Sequence, residues 1–514
     1  MTPTSFLRPR RLAALAAAAA MVALSVPVGV AQAADAFPPT PGVPCDAGSL
    51  PESTQGRVPL SEVTSGRAAK GYTCNARELG MFGKTGGYRV ESYVDKAGHI
   101  CGYYDTTLLF PKDVLAAGSN GTGTYVMDMV DPTKPKYIRT LSTPAMQAPH
   151  ESLRLNQKRG LLVAAFGSPA TNVGIIDVYD VTADCRNPVL KSSTPLGVLG
   201  HESGFAPDGN TFYVGSLDAR TIAAVDVSDP VIPKLLWLNR LYKAHGMSVS
   251  DDGNRLYIAE RSDEFKGLTI LDVTQVQKRV LNPTVPMVSR LTWPNVGTPQ
   301  YAEPFTSKGH KYLMEIDEFG NNANVGAGRI IDLEDEKKPF VVSQMRLAVN
   351  QEAAQTGEQT KDPGASTAFQ GYRGHYCSIP TRIDPTRVAC TFIVSGLRIF
   401  DIADPTKPQE VAYFNAKIPA GDPGAFAMAA PAFSPRQDEI WYSDGNHGFY
   451  AVKLTAGAKR TGPAAAAPKP APARPAAPSS AGGQLPTTGL PVLLPLTAAA
   501  CFVGFVWLRR RRTV

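Results

Sequence analysis

Short apolar segments recur along the middle of the chain, and each of the clearest ends at an aspartate followed by a proline-rich turn. These copies are GLRIFDIADPTKP at 396–408, GTYVMDMVDPTKP at 123–135 and IAAVDVSDPVIP at 222–233. Apolar runs of this length suit strands that pack between two sheets. The prolines of the following turn cannot pair in a β-ladder, so the next short apolar run predicts a separate outer strand.

The copies predict an all-β fold, a seven-bladed β-propeller with four-stranded blades. Neighbouring copies are 46 to 69 residues apart, the period of such a blade. Their central residues are Asp128, Asp180, Asp226, Asp272, Asp332, Asp401 and, in the last copy, Lys453. We expect these aspartates to make structural hydrogen bonds. The seventh copy ends at Leu454 without an outer strand, so we predict that the strand-like stretch 88–94 closes the ring there. The propeller is thus assigned to 88–455 and an N-terminal extension to 34–87.

The first 33 residues read as a signal peptide. Three arginines precede an apolar stretch at 12–30, and Ala-Gln-Ala at 31–33 is a small-residue cleavage site. The pair Arg10 and Arg11 leaves open a twin-arginine export signal. An uncleaved membrane anchor is the other alternative.

The last residues carry three elements in a fixed order. An LPTTG pentapeptide comes first, then 19 uncharged residues at 490–508, long enough to cross a bilayer as a helix, and then a basic tail. Upstream, residues 456–484 are rich in alanine and proline, which predicts a disordered, extended linker. The pentapeptide consists of Leu485, Pro486, Thr487, Thr488 and Gly489.

This C-terminal arrangement at 485–514 resembles the LPXTG cell-wall sorting signal of Gram-positive surface proteins. The resemblance implies transient membrane anchoring, cleavage by a sortase between Thr488 and Gly489, and covalent attachment to peptidoglycan. A simple single-span anchor is the alternative. The repeats, above all GLRIFDIADPTKP and DGNHGFYAVKL, resemble the LVIVD-repeat family of exported β-propellers over 88–455.

The net charge of +7 does not indicate a nucleic-acid partner. Seven arginines at the two ends account for all of it, and the remaining 45 basic and 45 acidic residues balance. Neutrality between the two terminal signals excludes a basic face that would follow a phosphate backbone.

Export to an oxidising compartment predicts disulfide bonds. Cys501 lies in the hydrophobic tail, which leaves an even set of six cysteines. We predict one bond between Cys377 and Cys390, which flank a strand pair. For the others we favour Cys74 with Cys101 and Cys45 with Cys185, although the sequence does not fix this pairing. Free, buried thiols are the alternative.

Four of the seven histidines occupy one repeat position at the start of the predicted innermost strands. His150, His201 and His245 align without gaps, and His375 aligns with a two-residue insertion. Blade five has Tyr301 in this place, with Glu303 two residues on, and blade seven has Ala429. Imidazoles from several blades should therefore converge on the propeller axis.

Neutral imidazoles are ligands for Cu, Zn, Fe or Ni, so the sequence predicts a possible metal site at the channel mouth, with copper or zinc as the metal. Glu151 and Glu202 follow two of the histidines and could orient the rings or act as ligands. We favour the other interpretation of the sequence, that these histidines fix the packing of neighbouring blades, and keep the metal site as the alternative.

No nucleophile elbow, zinc-protease helix, phosphate loop or paired-cysteine zinc motif occurs in the sequence. We therefore expect a secreted, wall-anchored propeller that serves as a binding or scaffold module for an unknown extracellular ligand. The alternative function is an extracellular copper- or zinc-dependent oxidoreductase or hydrolase with its site at the axis.

Overall fold

The computed structural model describes residues 38–459 except 109–111, 167–173, 197–199, 217–219, 319–325, 352, 355–356 and 367–370. The predicted signal peptide, the sorting signal with its LPTTG motif, Cys501 and the linker from 460 onward lie outside the described residues. The linker's first residues form a 3₁₀ turn, Ala456–Lys459, that packs on the folded domain. Among the described residues, none of the helices is both long and apolar enough to span a bilayer.

The chain folds into a seven-bladed β-propeller, as the repeats predict. Two strands from the N-terminal extension, β1 (Tyr72–Cys74) and β2 (Ala76–Phe82), precede the first blade. Blade one consists of β3 (Val90–Val94), β4 (Ile100–Asp105), β5 (Thr124–Asp128) and β6 (Lys136–Leu141). Blade two consists of β7 (Arg154–Asn156), β8 (Leu161–Ala165), β9 (Ile175–Asp180) and β10 (Val189–Pro195). Blade three consists of β11 (Glu202–Phe205), β12 (Thr211–Ser216), β13 (Thr221–Asp226) and β14 (Lys234–Asn239).

The later blades continue the same order. Blade four consists of β15 (Ala244–Val249), β16 (Arg255–Arg261), β17 (Lys266–Asp272) and β18 (Met287–Leu291), and blade five of β19 (Pro299–Ser307), β20 (His310–Asp317), β21 (Gly328–Asp332) and β22 (Phe340–Met345). Blade six contains β23 (Gly374–Ser378), β24 (Arg387–Phe392), β25 (Gly396–Asp401) and β26 (Gln409–Asn415). Blade seven contains β27 (Ala432–Phe433), β28 (Glu439–Asp444) and β29 (Gly448–Leu454). The short helices α1 (Leu60–Thr64), α2 (Lys112–Ala117), α3 (Pro144–Gln147) and α4 (Thr274–Gln277) lie outside the sheets.

The blades pack face to face through apolar residues of their middle strands, which are buried on both faces. Between blades seven and one, for example, Trp441 packs with Tyr104 and Met127, and all three are fully buried. The first strand of each blade, from β3 to β27, is innermost in its sheet, and the inner strands surround the axial channel. The starts of these strands therefore meet at one end of the channel.

The repeated aspartate ends the third strand of its blade and forms the tight turn that follows. Its carboxylate accepts the backbone N–H of the residue two positions on, as Asp128 does from Val130 at 3.0 Å and Asp401 from Ala403 at 2.8 Å. Asp180, Asp226, Asp272 and Asp332 make the same contact. This is the structural role expected from the sequence.

The ring is closed by a strand of the N-terminal extension, but it is not the predicted one. Strand β2 pairs antiparallel with β29, from Ala76 opposite Leu454 to Phe82 opposite Phe449, and supplies the missing outer strand of blade seven. The stretch 88–94 instead contains β3, the innermost strand of blade one, which pairs with β4. Blade one needs β3 as its innermost strand, next to β4. The strand that completes blade seven must therefore come from an earlier segment of the chain.

Blade six has five strands, because β1 adds to the outer edge of β26. A single residue, Asn75, carries the chain from this blade to blade seven. Its φ of 52° lies in the left-handed region, which asparagine tolerates better than most residues. Its side-chain amide donates to the carbonyl oxygens of Val411 at 2.9 Å and Pro44 at 3.1 Å. The extension is thereby fastened to blade six.

Three disulfide bonds are present in the described residues, and one was predicted correctly. Cys377 and Cys390 are directly opposite each other on β23 and β24 and are bonded. The predicted pairs Cys74–Cys101 and Cys45–Cys185 are wrong. Cys74 lies at the edge of blade six and bonds Cys45 of the extension, whereas Cys101 in blade one bonds Cys185, which follows the third strand of blade two. Blade seven separates the blades that hold Cys74 and Cys101.

Candidate functional site

The four repeated histidines converge at one end of the axial channel. His245 and His375 lie in the inner strands β15 and β23, His201 immediately precedes β11, and His150 lies in the connection that leads to β7. The rings of His150 and His201 have centroids 4.3 Å apart, and those of His201 and His245 are 4.8 Å apart. Side chains from blades two, three, four and six thus form one cluster, which we call the axial cluster.

The carboxylate of Glu151 lies at the centre of this cluster. Its Oε2 is 3.1 Å from Nε2 of His201, 3.8 Å from Nδ1 of His150 and 3.8 Å from Nε2 of His245. Its Oε1 is 3.2 Å from Nε2 of His375. All four imidazoles therefore face one buried carboxylate.

A second carboxylate, that of Glu318, completes the cluster and was missed in the sequence. Its oxygens lie 3.4 Å from Nε2 of His245 and 3.5 Å from Nε2 of His375. Glu318 follows β20, which is the second strand of blade five and runs antiparallel to the inner strand β19. The end of β20 therefore lies at the same end of the channel as the starts of the inner strands. It has no counterpart in the repeat alignment, and the acidic pair Asp317–Glu318 at a strand end was its only signal.

The backbone fixes the tautomers of the two most buried rings. Nδ1 of His245 lies 2.8 Å from the carbonyl oxygen of Pro299, and Nδ1 of His375 contacts the carbonyl oxygen of Met428. A carbonyl only accepts, so each Nδ1 carries the hydrogen, and the neutral ring presents the Nε2 lone pair to the carboxylates. Metal-binding histidines are typically held in this way, with the second nitrogen donating to a carbonyl.

The surroundings lower the pKa of His150, of His245 and of Glu151. Burial and the neighbouring His201 lower the pKa of His150 to about 3, and the same two causes hold the pKa of His245 well below its usual range. Burial opposes ionisation of Glu151, but the imidazoles of His201 and His150 outweigh it and hold the pKa of this carboxyl well below its ordinary value. Two imidazoles that resist protonation thus lie beside a carboxylate that also resists it.

Three atoms of the cluster are buried without a hydrogen-bond partner among the described residues: Nδ1 of His150, Nε2 of His201 and Oε2 of Glu151. An unsatisfied buried polar atom costs about 1–3 kcal/mol, more when it is charged. Ligand atoms about 2.0–2.2 Å from one ion are separated from each other by about 3.0–3.6 Å. The 3.1–3.8 Å contacts of Glu151 match or slightly exceed these separations.

Among the described residues of the cluster, two histidines are partly exposed and two are buried. The side chains of His150 and His201 are 28% and 21% exposed, whereas those of His245 and His375 are 2% and 1% exposed. His150 also has a φ of 52°, a conformation that is unusual for a residue with a side chain. The ring of Tyr88 stacks on it with centroids 4.2 Å apart. Solvent therefore reaches the cluster past blades two and three, beside Tyr88.

Glu202, the other predicted acidic residue, plays a different part from Glu151. One of its oxygens accepts from Arg89 at 2.6 Å and from Arg154 at 2.5 Å, and in the described part of the chain its carboxylate forms no ion pair with an axial histidine. Burial raises the pKa of Glu202 to about 8, although the guanidinium groups of Arg154 and Arg89 lower it. With two arginines so close, we treat it as ionised. Arg89 also donates to the backbone oxygen of Glu151 at 3.1 Å, which helps hold the latter in place.

Blade five contributes Gln300 at the histidine position rather than the predicted Tyr301. The pairing of β19 skips one residue between Pro299 and Tyr301, just as that of β23 skips His375 between Gly374 and Tyr376. This β-bulge shifts the repeat by one residue, which an ungapped alignment does not reveal. In blade seven, the predicted Ala429 is fully buried and offers no ligand atom.

The remaining histidines lie away from the axis, as ordinary partners of aspartates. His99 is 2.8 Å from Asp95, His310 is 2.7 Å from Asp332, and His447 is 2.8 Å from Asp422. His99, Asp95 and Asp184 lie close enough together to hold an ion. However, the Asp95 oxygens already accept backbone N–H groups as well as the His99 ring, so this group reads as structural.

No protein-family model matches the chain, and no curated protein matches its sequence. Among solved structures, it is similar to a periplasmic gluconolactonase of Pseudomonas aeruginosa, with 12% identity, a TM-score of 0.45 and coverage of 72% of this chain and 97% of that one. It is also similar to hydrazine synthase of Kuenenia stuttgartiensis, with 11% identity, a TM-score of 0.45 and coverage of 73% and 97%. A protein of Lactobacillus plantarum is similar with 10% identity, a TM-score of 0.44 and coverage of 64% of this chain and 86% of that one. These likenesses concern the fold alone.

Proposed function

We propose that this propeller is an exported metalloprotein whose axial cluster binds one transition-metal ion. The observation that carries the proposal is the grouping of four imidazole nitrogens within 3.8 Å of the buried carboxylate of Glu151. A proton or a metal cation between these atoms stabilises such a group, and three of the atoms are buried without a hydrogen-bond partner among the described residues. His150, Glu151 and His201 lie close enough together to hold that cation, with His245 and His375 beside the same carboxylate and Glu318 close to those two rings.

The ligand set favours a redox metal, copper in the first place, over zinc. Catalytic zinc sites usually have three protein ligands and one open position, and structural zinc sites have four. The axial cluster offers more imidazole nitrogens around one carboxylate than either zinc set uses, and nitrogen-rich surroundings suit copper or iron. The side open past His150 and His201 would admit a small substrate. We therefore propose a metal-dependent oxidoreductase, with a zinc hydrolase as the alternative to be tested.

Metal analysis of the purified protein tests this function. We expect close to one equivalent of copper or iron after reconstitution, and its loss in a His201→Ala/His245→Ala double variant. The matched control is His310→Ala, which removes a histidine of similar carboxylate contact far from the axis and should leave the metal content unchanged. Stoichiometric zinc would favour the hydrolase, and absence of all three metals from the wild-type protein would refute the proposal.

We further propose that the protein acts outside the cell, attached to the wall. The signal-like N-terminus and the LPTTG arrangement support this, and three disulfide bonds suit an oxidising compartment. Cell fractionation of a Leu485→Ala variant tests it. Wild-type protein should stay with the wall until muralytic digestion, whereas the variant should move to the membrane or medium. Wild-type protein in the cytosol would contradict the proposal.

A further inference from the structure

A layer of ion-paired side chains divides the axial channel into two chambers. Arg89 and Arg154 meet on Glu202, and the Arg154 guanidinium lies 4.9 Å from the ring centre of Tyr301. The Arg89 guanidinium lies 5.0 Å from the ring centre of Tyr376. On one side of this layer is the axial cluster, and on the other is a cavity that no axial histidine lines.

This cavity has a volume of about 320 Å³ and is surrounded by the inner strands. It adjoins a second cavity of about 780 Å³ between blades six, seven, one and two. Ser92, Gln157, Pro380 and Phe433 line both, so the two form one elongated trough that leads from the channel to the face opposite the axial cluster. Both volumes are typical of sites for small organic ligands.

The trough is polar without carrying an excess of either charge. Its four arginines are all paired: Arg89 and Arg154 with Glu202, Arg382 with Glu303 at 3.2 Å, and Arg387 with Asp438 at 3.5 Å. Arginines committed to carboxylates are poor binders of phosphate or nucleic acid. A neutral ligand fits this balance better than an anion.

Hydroxyl and aromatic groups line the remaining wall. Ser248 borders the first cavity and is only 3% exposed, and its buried hydroxyl has no hydrogen-bond partner among the described residues. Glu91 also lines this cavity, and its carboxylate makes no ion pair with the described residues; burial raises its pKa. The rings of Phe205 and Phe433 add flat apolar surface. Such a mixture binds hydroxyl groups through polar atoms and C–H faces through rings.

We propose that this trough binds a short, neutral oligosaccharide. The elongated shape suits a linear ligand, and the paired charges suit a neutral one. The Ser248 hydroxyl, which has no hydrogen-bond partner among the described residues, is a group that a sugar hydroxyl would satisfy. The inference is independent of the metal, because the Arg89–Glu202–Arg154 layer separates the two chambers. The sugar can come from a wall glycan or from a soluble glycan outside the cell, and the experiment distinguishes these sources.

Isothermal titration calorimetry on the purified full-length protein tests the proposal with three neutral probes: the N-acetylglucosamine–N-acetylmuramic acid disaccharide with its lactyl carboxyl as an amide, chitotetraose and cellotetraose. At least one should bind with a Kd below about 1 mM. Binding of the first probe indicates a wall glycan, and binding of only the latter two indicates a soluble glycan.

Two substitutions locate the site. Ser248→Val preserves size but removes the hydroxyl, and Glu91→Gln removes the unpaired charge; each should weaken binding about tenfold. The His201→Ala/His245→Ala variant should bind the sugar as the wild type does, which separates this proposal from the metal site. The proposal is overturned if none of the three probes binds, or if both substitutions at the trough leave the affinity unchanged.

Discussion

Glu151 and His201 contact each other twice, through backbone and side chain. The N–H of Glu151 donates to the carbonyl oxygen of His201 at 3.2 Å, and its carboxylate Oε2 lies 3.1 Å from Nε2 of the His201 ring. The first contact joins the segments that lead into the inner strands of blades two and three, and the second brings together two atoms that have no hydrogen-bond partner among the described residues. One structural contact between blades thereby positions two candidate ligands.

The two glutamates of the repeated His-Glu-Ser motif should respond differently to the same substitution. Glu151→Gln keeps the side-chain size but removes the charge at the centre of the cluster, so metal affinity should fall at least about tenfold. Glu202→Gln should retain the metal but lose about 3–5 kcal/mol of unfolding free energy, because two buried arginines lose their counter-charge. Metal titration and urea unfolding measure the two effects. Equal effects of both variants on metal affinity would contradict the assignment.

Metal binding should stabilise the whole propeller, because the ligands come from blades two, three, four and six. At a free metal concentration a hundred times Kd, the gain is about 2.7 kcal/mol, if the unfolded chain does not bind. Differential scanning calorimetry should show a higher Tm with metal, reversed by a chelator. The shift should vanish in His201→Ala/His245→Ala and persist in His310→Ala. A persistent shift in the double variant would show that the metal binds elsewhere.

His447 should make stability depend on pH. Burial opposes its protonation, but the Asp422 carboxylate at 2.8 Å and the nearby Asp444 raise its pKa above the ordinary value. The contribution is therefore complete below about pH 6.5, the pKa in the unfolded chain, and is lost as pH rises through the folded pKa. His447→Gln should cost about 1–2 kcal/mol at pH 6 and progressively less at higher pH. A difference in urea midpoints that does not change with pH would refute this.

The two kinds of disulfide should differ in their contribution to stability. Cys101–Cys185 closes a loop of 84 residues between blades one and two, whereas Cys377–Cys390 closes one of 13 within blade six. Loop entropy alone assigns them about 4.5 and about 3 kcal/mol. Urea unfolding of the Cys101→Ser/Cys185→Ser double variant should therefore show the larger loss than that of Cys377→Ser/Cys390→Ser. The reverse order would show that packing around the bonds outweighs chain entropy.

The repeat made the fold predictable, since each copy encodes its own strands and turn. The same alignment placed His150, His201, His245 and His375 at equivalent points, and in a propeller equivalent points surround the axis. It failed where a blade departs from the common pattern. Gln300 is displaced by a β-bulge, and Glu318 stands at the end of a second strand, where no repeated residue marks the position.

The sequence by itself determined the seven blades, the ring of histidines, the bond between the facing Cys377 and Cys390, and the recurrent aspartate turns. Each of these follows from patterns within a single blade or from their repetition. Only the tertiary structure decided that β2 closes the ring, that Cys74 bonds Cys45, and that Glu151 rather than Glu202 faces the four imidazoles. Those outcomes depend on which distant segments meet when the ring closes, and local periodicity carries no information about such encounters.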